Sequence, residues 1–179
     1  RRGSGKYGSG WGESGLTLTL TLLRHAKSDW NDPVARDFDR PLNKRGERAA
    51  ILIGQWMKRE GLAFDHVLAS PAVRVIDTID QVAKGYGTRI EPQWDRRIYL
   101  ASSATLMDVL RDDAKQHKSV LMIGHNPGME DLVFDIVPDD GSSPLRDVIY
   151  EKYPTAAVAR MELDIDDWAD LDRNCGKVT

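Results

Sequence analysis

The chain has 179 residues, 41% of them apolar and 30% charged, which suits one domain able to bury a core without disulfide staples. A net charge of −3 offers no basic field for nucleic acid, and the single cysteine, Cys175, excludes an intrachain disulfide and a Cys-rich zinc site. No apolar run reaches the length of a membrane span, and no basic start is followed by an apolar signal core, so the cytoplasm is the expected compartment.

Residues 1–15 are rich in Gly and Ser and are expected to form a flexible leader. A domain over 16–168 and a C-terminal tail over 169–179 complete the expected organisation. From Leu16 the texture changes. Leu16, Leu18, Leu20 and Leu22 alternate with Thr17, Thr19 and Thr21, a period of two that predicts a strand ending at Leu23-Arg24-His25. A polar loop runs from Ala26 to about Leu42. Asn43 is the expected cap of a helix reaching Glu60, stopped by Gly61, with Ala49, Leu52, Ile53, Trp56 and Met57 on its apolar face.

His66 to Ala69 predicts a short strand. Ser70-Pro71 reads as a cap and first helical residue, ahead of a stripe of Ile76, Ile79, Ala83 and Tyr86. Arg89 to Glu91 predicts a small strand. Ser102 or Ser103 caps a helix built on Leu106, Val109 and Leu110. Ser119 to Ile123 is a compact apolar run, as a buried parallel strand would be, and Pro127 starts a helix holding Leu132, Val133 and Ile136. Ala156 to Leu163 alternates again and predicts a last strand at an edge.

Strand and helix in alternation imply an α/β fold, a three-layer αβα sandwich around a mostly parallel sheet. Ligands in such sheets sit beyond the carboxyl ends of the strands. Three segments place polar residues there: Arg24-His25, Ser70 to Arg74, and His125-Asn126. Each alone is compatible with an ordinary polar residue at a turn. Arg74, however, sits in the first turn of its helix, where a positive charge is disfavoured unless an anion bridges it and the helix terminus. His66 and His117 have no comparable setting. Two arginines and two imidazoles make sense together around a phosphoryl group. Guanidinium forks match its oxygens, and a neutral imidazole is a suitable nucleophile near pH 7. No cofactor is expected and no metal, since no metal-binding motif is present.

Leu22-Leu23-Arg24-His25-Ala26-Lys27-Ser28 resembles the Arg-His-Gly signature of the histidine phosphatase superfamily, branch 1, with Ala26 in place of the glycine. Ser70-Pro71-Ala72-Val73-Arg74 with Thr78, and Ile123-Gly124-His125-Asn126, resemble its second and third signatures. Arg40-Pro41-Leu42, Gly46 and Ile98-Tyr99-Leu100-Ala101 are similar to its SixA-type phosphohistidine phosphatase group. The resemblance implies a phosphoglycerate mutase-like fold, His25 as nucleophile, and Arg24, Arg74 and His125 around the phosphoryl group. It also implies Asn31, Ser28 and Asn126 as substrate contacts. Larger relatives supply a glutamate as general acid after the second helix. Here the corresponding stretch offers only Asp95, beside Arg96 and Arg97, which favour its ionised form. Without an acid, a phosphohistidine of a protein is the expected substrate, because imidazole leaves far more readily than an alkoxide. A small phosphate ester, with Asp95 or water as acid, and a phospho-ligand-binding protein without turnover are the alternatives.

Overall fold

The computed structural model describes residues 17–31, 33 and 36–179; the leader expected over 1–15 lies outside them. Among the described residues a sheet of six strands has the order β3-β2-β4-β1-β5-β6. The strands are β1 (Leu18–Arg24), β2 (His66–Ala69), β3 (Gln93–Trp94), β4 (Ser119–Gly124), β5 (Val158–Leu163) and β6 (Gly176–Val178). The first four are parallel neighbours; β5 pairs antiparallel with β1, and β6 pairs antiparallel with β5. Helices α1 (Lys44–Arg59) and α2 (Val73–Tyr86) cover one face; α3 (Ser103–Asp113), α4 (Gly128–Ile136) and α5 (Pro144–Glu151) pack against the other. Alternation along the strands makes both layers. In β4, Val120 and Met122 join the α3–α4 core while Leu121 and Ile123 join the α1–α2 core. No helix among the described residues is long and apolar enough to cross a membrane.

The helix ends follow local chemistry. Asn43 accepts from the Gly46 N–H at 2.8 Å to cap α1, Gly61 follows it with φ 67°, and Ser102 caps α3. The expected stripes match the buried faces in part. Met57 and Ile79 are buried, and Ala49, Ile53 and Trp56 pack against the core. Leu52, however, is 63% exposed, and α1 also buries Gly46, Ala50 and Gly54. The reason is close helix packing. A Cβ on Gly54 would lie 2.1 Å from the Val82 carbonyl oxygen, and one on Gly85 would lie 2.0 Å from that of Ile51. The helices thus meet backbone to backbone, and on α2 the inward row is Val75, Ile79 and Val82.

Ser70 does not cap α2. Its N–H continues the sheet ladder to the Ile123 carbonyl at 3.1 Å, and Ala72 is the cap residue. The strand expected at Arg89 to Glu91 lies further on, at Gln93–Trp94, where pairing with Leu68 and Ala69 is available. Strand β5 is not an edge, because β6 pairs with its outer side; the segment expected as a tail, 169–179, therefore contributes to the sheet.

Candidate active site

Parallel register brings the three polar segments together. Arg24 lies beside Gly124, and Ala69 beside Ile123. His25, Ser70 and His125 each stand one residue beyond the end of their strand. Arg24, His25, Ser28, Arg74, His125 and Asn126 all line one cleft of about 380 Å³. His66 and His117 stack on each other, ring centroids 4.1 Å apart, at the opposite end of the sheet.

His25 is 8% exposed, and its Nδ1 lies 2.7 Å from the Ala26 carbonyl oxygen. A carbonyl only accepts, so Nδ1 carries the proton and the neutral ring keeps its lone pair on Nε2. The Ala26 peptide is itself fixed. Its N–H donates to Thr78 Oγ1 at 3.0 Å, and that hydroxyl donates to the Arg74 carbonyl at 2.6 Å. Gly46 lets α1 approach the same turn, since a Cβ there would lie 2.1 Å from the Lys27 carbonyl oxygen. Burial lowers the His25 pKa to about 4; the Ala26 bond opposes this, and Arg74, Arg24 and Arg40 reinforce it.

A measurable consequence follows from that shift. An NMR titration of the His25 ring should have its midpoint near about 4, against 6.5 for a solvated imidazole, so the ring is neutral throughout the range near pH 7. The sign also fixes a stability effect. Unfolded His25 takes up its proton near 6.5 and folded His25 only near about 4, so stability is lost progressively as pH falls through that window. A midpoint near the solvated value would mean that the ring is hydrated and that this site is open.

His125 lies beside it, ring centroids 5.3 Å apart. Arg74 Nη2 stands 3.2 Å from His125 Nδ1, and a guanidinium can only donate, so Nδ1 accepts. The ring proton is then on Nε2 and donates to Ser70 Oγ at 2.8 Å. Both nitrogens are engaged within the protein. Burial, then Arg74 and His25, lower the His125 pKa to about 3.

Arg74 is 2% exposed and holds Asp37 twice, through Nη1 to its carbonyl at 2.6 Å and Nη2 to its carboxylate at 3.0 Å. Arg24 Nη1 donates to the Tyr153 carbonyl at 2.9 Å. Among the described residues the Nε atoms of both arginines have no hydrogen-bond partner, which leaves donor capacity on each guanidinium.

Sequence reasoning missed a third guanidinium and a carboxylate. Arg40 is buried in the cleft wall, donates to Ser28 Oγ, and pairs with Asp37 at 2.5 Å. Tyr99 donates to the same Asp37 carboxylate at 2.5 Å. Burial alone would raise the Asp37 pKa, but the bonds from Tyr99, Arg40 and Arg74 outweigh it and hold the carboxyl below the usual carboxylate range. Asp37 is thus an ionised strut between two arginines. The only available signal for Arg40 was its place in the Arg-Pro-Leu motif; nothing in the polar loop marked Asp37.

The remaining expected residues separate. Ser28 is buried against Arg40, and Asn126 donates to the Tyr153 carbonyl and to Glu130, each at 3.3 Å. Asn31 is exposed, its N–H donating to Asp29 at 2.9 Å, and it is not among the residues lining the cleft. Asp95 lies outside that lining as well. It caps a 3-10 turn and pairs with Arg97 at 2.7 Å; the Arg97 bonds hold its pKa down against a smaller effect of burial. Arg97 also pairs with Asp112 and Asp113.

A neutral imidazole with a free lone pair, set among three guanidiniums, can accept a phosphoryl group and stabilise its charge. The family model of the histidine phosphatase superfamily (branch 1) matches residues 20–98. The uncharacterized protein MT1313 of Mycobacterium tuberculosis is 31% identical over 154 residues, covering 86% of this chain and 94% of its own. Among solved structures, a protein named SixA from Agrobacterium tumefaciens has 29% identity and a TM-score of 0.72, covering 82% of this chain and 92% of its own. One of the same name from Nakamurella multipartitia has 26% identity and a TM-score of 0.76, covering 93% and 95%. The chain therefore belongs to branch 1 of the histidine phosphatase superfamily and is a phosphatase with a phosphoglycerate mutase-like αβα fold.

Proposed function

We propose that the chain removes phosphate from phosphohistidine in proteins, through a phosphoenzyme on His25 and without a metal. Arg24, Arg74 and Arg40 hold the phosphoryl oxygens. His25 Nε2 attacks phosphorus as the bond to the substrate ring breaks; that ring, protonated on its other nitrogen, takes the electron pair and leaves as neutral imidazole. Water then attacks the His25 phosphoryl group, releasing inorganic phosphate and restoring the lone pair. His125 fixes Arg74 and adds polarity at the phosphoryl pocket; Ser28 and Asn126 support the cleft wall. Among the described residues no cluster of three or more His, Cys, Asp or Glu side chains could hold a metal ion.

The carrying observation is the state of the carboxylates. Asp37 faces the cleft but is held ionised, and Asp95 is tied to Arg97 outside it. Neither is equipped to give a proton to a departing alkoxide. An imidazole, whose conjugate acid has a pKa of ~6.5, does not need that help to the same degree. The two SixA-named neighbours support the same substrate class.

The test is a panel of leaving groups. Each ~1.4 kcal/mol of barrier is a factor of ten, so a difference of several pKa units should separate substrates by orders of magnitude. Phosphohistidine protein and p-nitrophenyl phosphate should turn over, while glycerol phosphates and phosphoserine should be nearly inert. Asp95→Asn should change the phosphohistidine rate by less than about twofold, as expected for an ion pair that lies outside the cleft. Alkyl phosphates reacting as fast as aryl ones, and slowed selectively by Asp95→Asn, would replace this reading with a small-molecule phosphomonoesterase.

A further inference from the structure

Two apolar side chains stand at the cleft, and the phosphoryl chemistry uses neither. Trp30 is 74% exposed and lines the same cleft as His25. The Arg40 guanidinium lies 3.6 Å from its ring centroid and covers one face. The cation holds the indole in place, and among the described residues the high exposure leaves the other face open. Leu100 also lines the cleft, is 55% exposed, and has φ 49°, in the left-handed region that a Cβ disfavours. An exposed leucine in a disfavoured backbone conformation contributes little to a core. Its neighbours hold it there. The Tyr99 hydroxyl is tied to Asp37, and the Ala101 carbonyl is packed so closely on Gly128 that a Cβ there would lie 2.0 Å away.

We infer that Trp30 and Leu100 form a leaving-group subsite that selects a flat aromatic ring bonded directly to the phosphoryl group. This deepens, and rests on, the function proposed above. A ring in the cleft would stack on the open face of Trp30 and touch the Leu100 methyls. A polyol or a serine side chain offers no such surface, and its hydroxyls would lose water against these walls. Selection by the subsite acts on binding, separately from the basicity of the leaving atom.

Phenylphosphonate and methylphosphonate separate the two effects, because neither has a leaving group. Calorimetric titration of the wild type should show phenylphosphonate binding more tightly than methylphosphonate. In Trp30→Ala the ratio of the two affinities should fall about three- to tenfold, and Trp30→Phe should restore most of it. Leu100→Gly, which suits the local backbone, should narrow the ratio as well. A wild-type ratio near one would overturn the inference. So would both affinities falling together in Trp30→Ala with the ratio preserved, which would mean that Trp30 acts only by steadying Arg40. The titration needs no turnover, so a failure of the substrate assignment appears in the leaving-group panel and a failure of the subsite appears here.

Discussion

Replacing His25 with alanine should lower turnover on the order of 10⁵-fold, since loss of the nucleophile in a comparable covalent mechanism removes nearly all the chemistry. The fold should survive. The ring donates one hydrogen bond to the Ala26 carbonyl, and the backbone N–H of residue 25, which donates to Gly124 at 3.1 Å, is untouched. Thermal denaturation should therefore stay within a few degrees of wild type, the ordinary effect of ~1 kcal/mol in a domain of this size. Added imidazole should restore part of the activity by occupying the space the ring leaves. Substantial residual turnover in a folded His25→Ala enzyme would show that another group attacks phosphorus.

Arg74→Ala should cost about 10²–10³ in turnover, the usual effect of removing one positioned donor from a developing charge. Here the loss extends beyond the phosphoryl group. Arg74 also fixes the Asp37 carbonyl and carboxylate and supplies the partner of His125 Nδ1. Arg74→Lys should rescue little, because a single ammonium cannot span those three partners with the geometry of a planar fork. Melting curves would separate a local loss from unfolding. Near-wild-type kcat/KM in Arg74→Ala would mean that its free donor capacity is not used by substrate.

Much of the site was legible in the sequence because apolar strands end in chemistry. Leu22-Leu23 runs into Arg24-His25, and Met122-Ile123-Gly124 runs into His125, so the expectation of a parallel sheet already placed those residues together. What the loop after β1 contributes was not legible. Asp37 and Arg40 are positioned by each other, by Arg74 and by Tyr99, contacts between segments far apart in the chain. No periodicity records such contacts. The same loop leaves Asn31 outside the cleft lining, although its spacing from His25 matches the signature.

Helix existence was easier to read than helix phase. The closest approach of α1 and α2 is at Gly54 and Gly85, which carry no hydrophobic signal, so the apolar stripe, which included the buried Met57, also took in the exposed Leu52. On α2 the buried row includes Arg74 and Thr78, polar side chains retained for the site. Helix α5 went unread because only Ile149 of its residues is buried, while Leu145, Val148 and Tyr150 are exposed. Strand β6 is three residues long, too short to show alternation, and exists because β5 offers it an edge.

The central claim is that a phosphoryl group passes through His25. Wild-type enzyme mixed with labelled phosphohistidine protein or aryl phosphate, quenched within milliseconds in alkali, should carry label that is stable to base and lost in mild acid. Peptide mapping should place it on His25, and His25→Ala should carry none. Acid-stable label on Ser28, label on Asp29, or full turnover without any labelled enzyme would contradict the account.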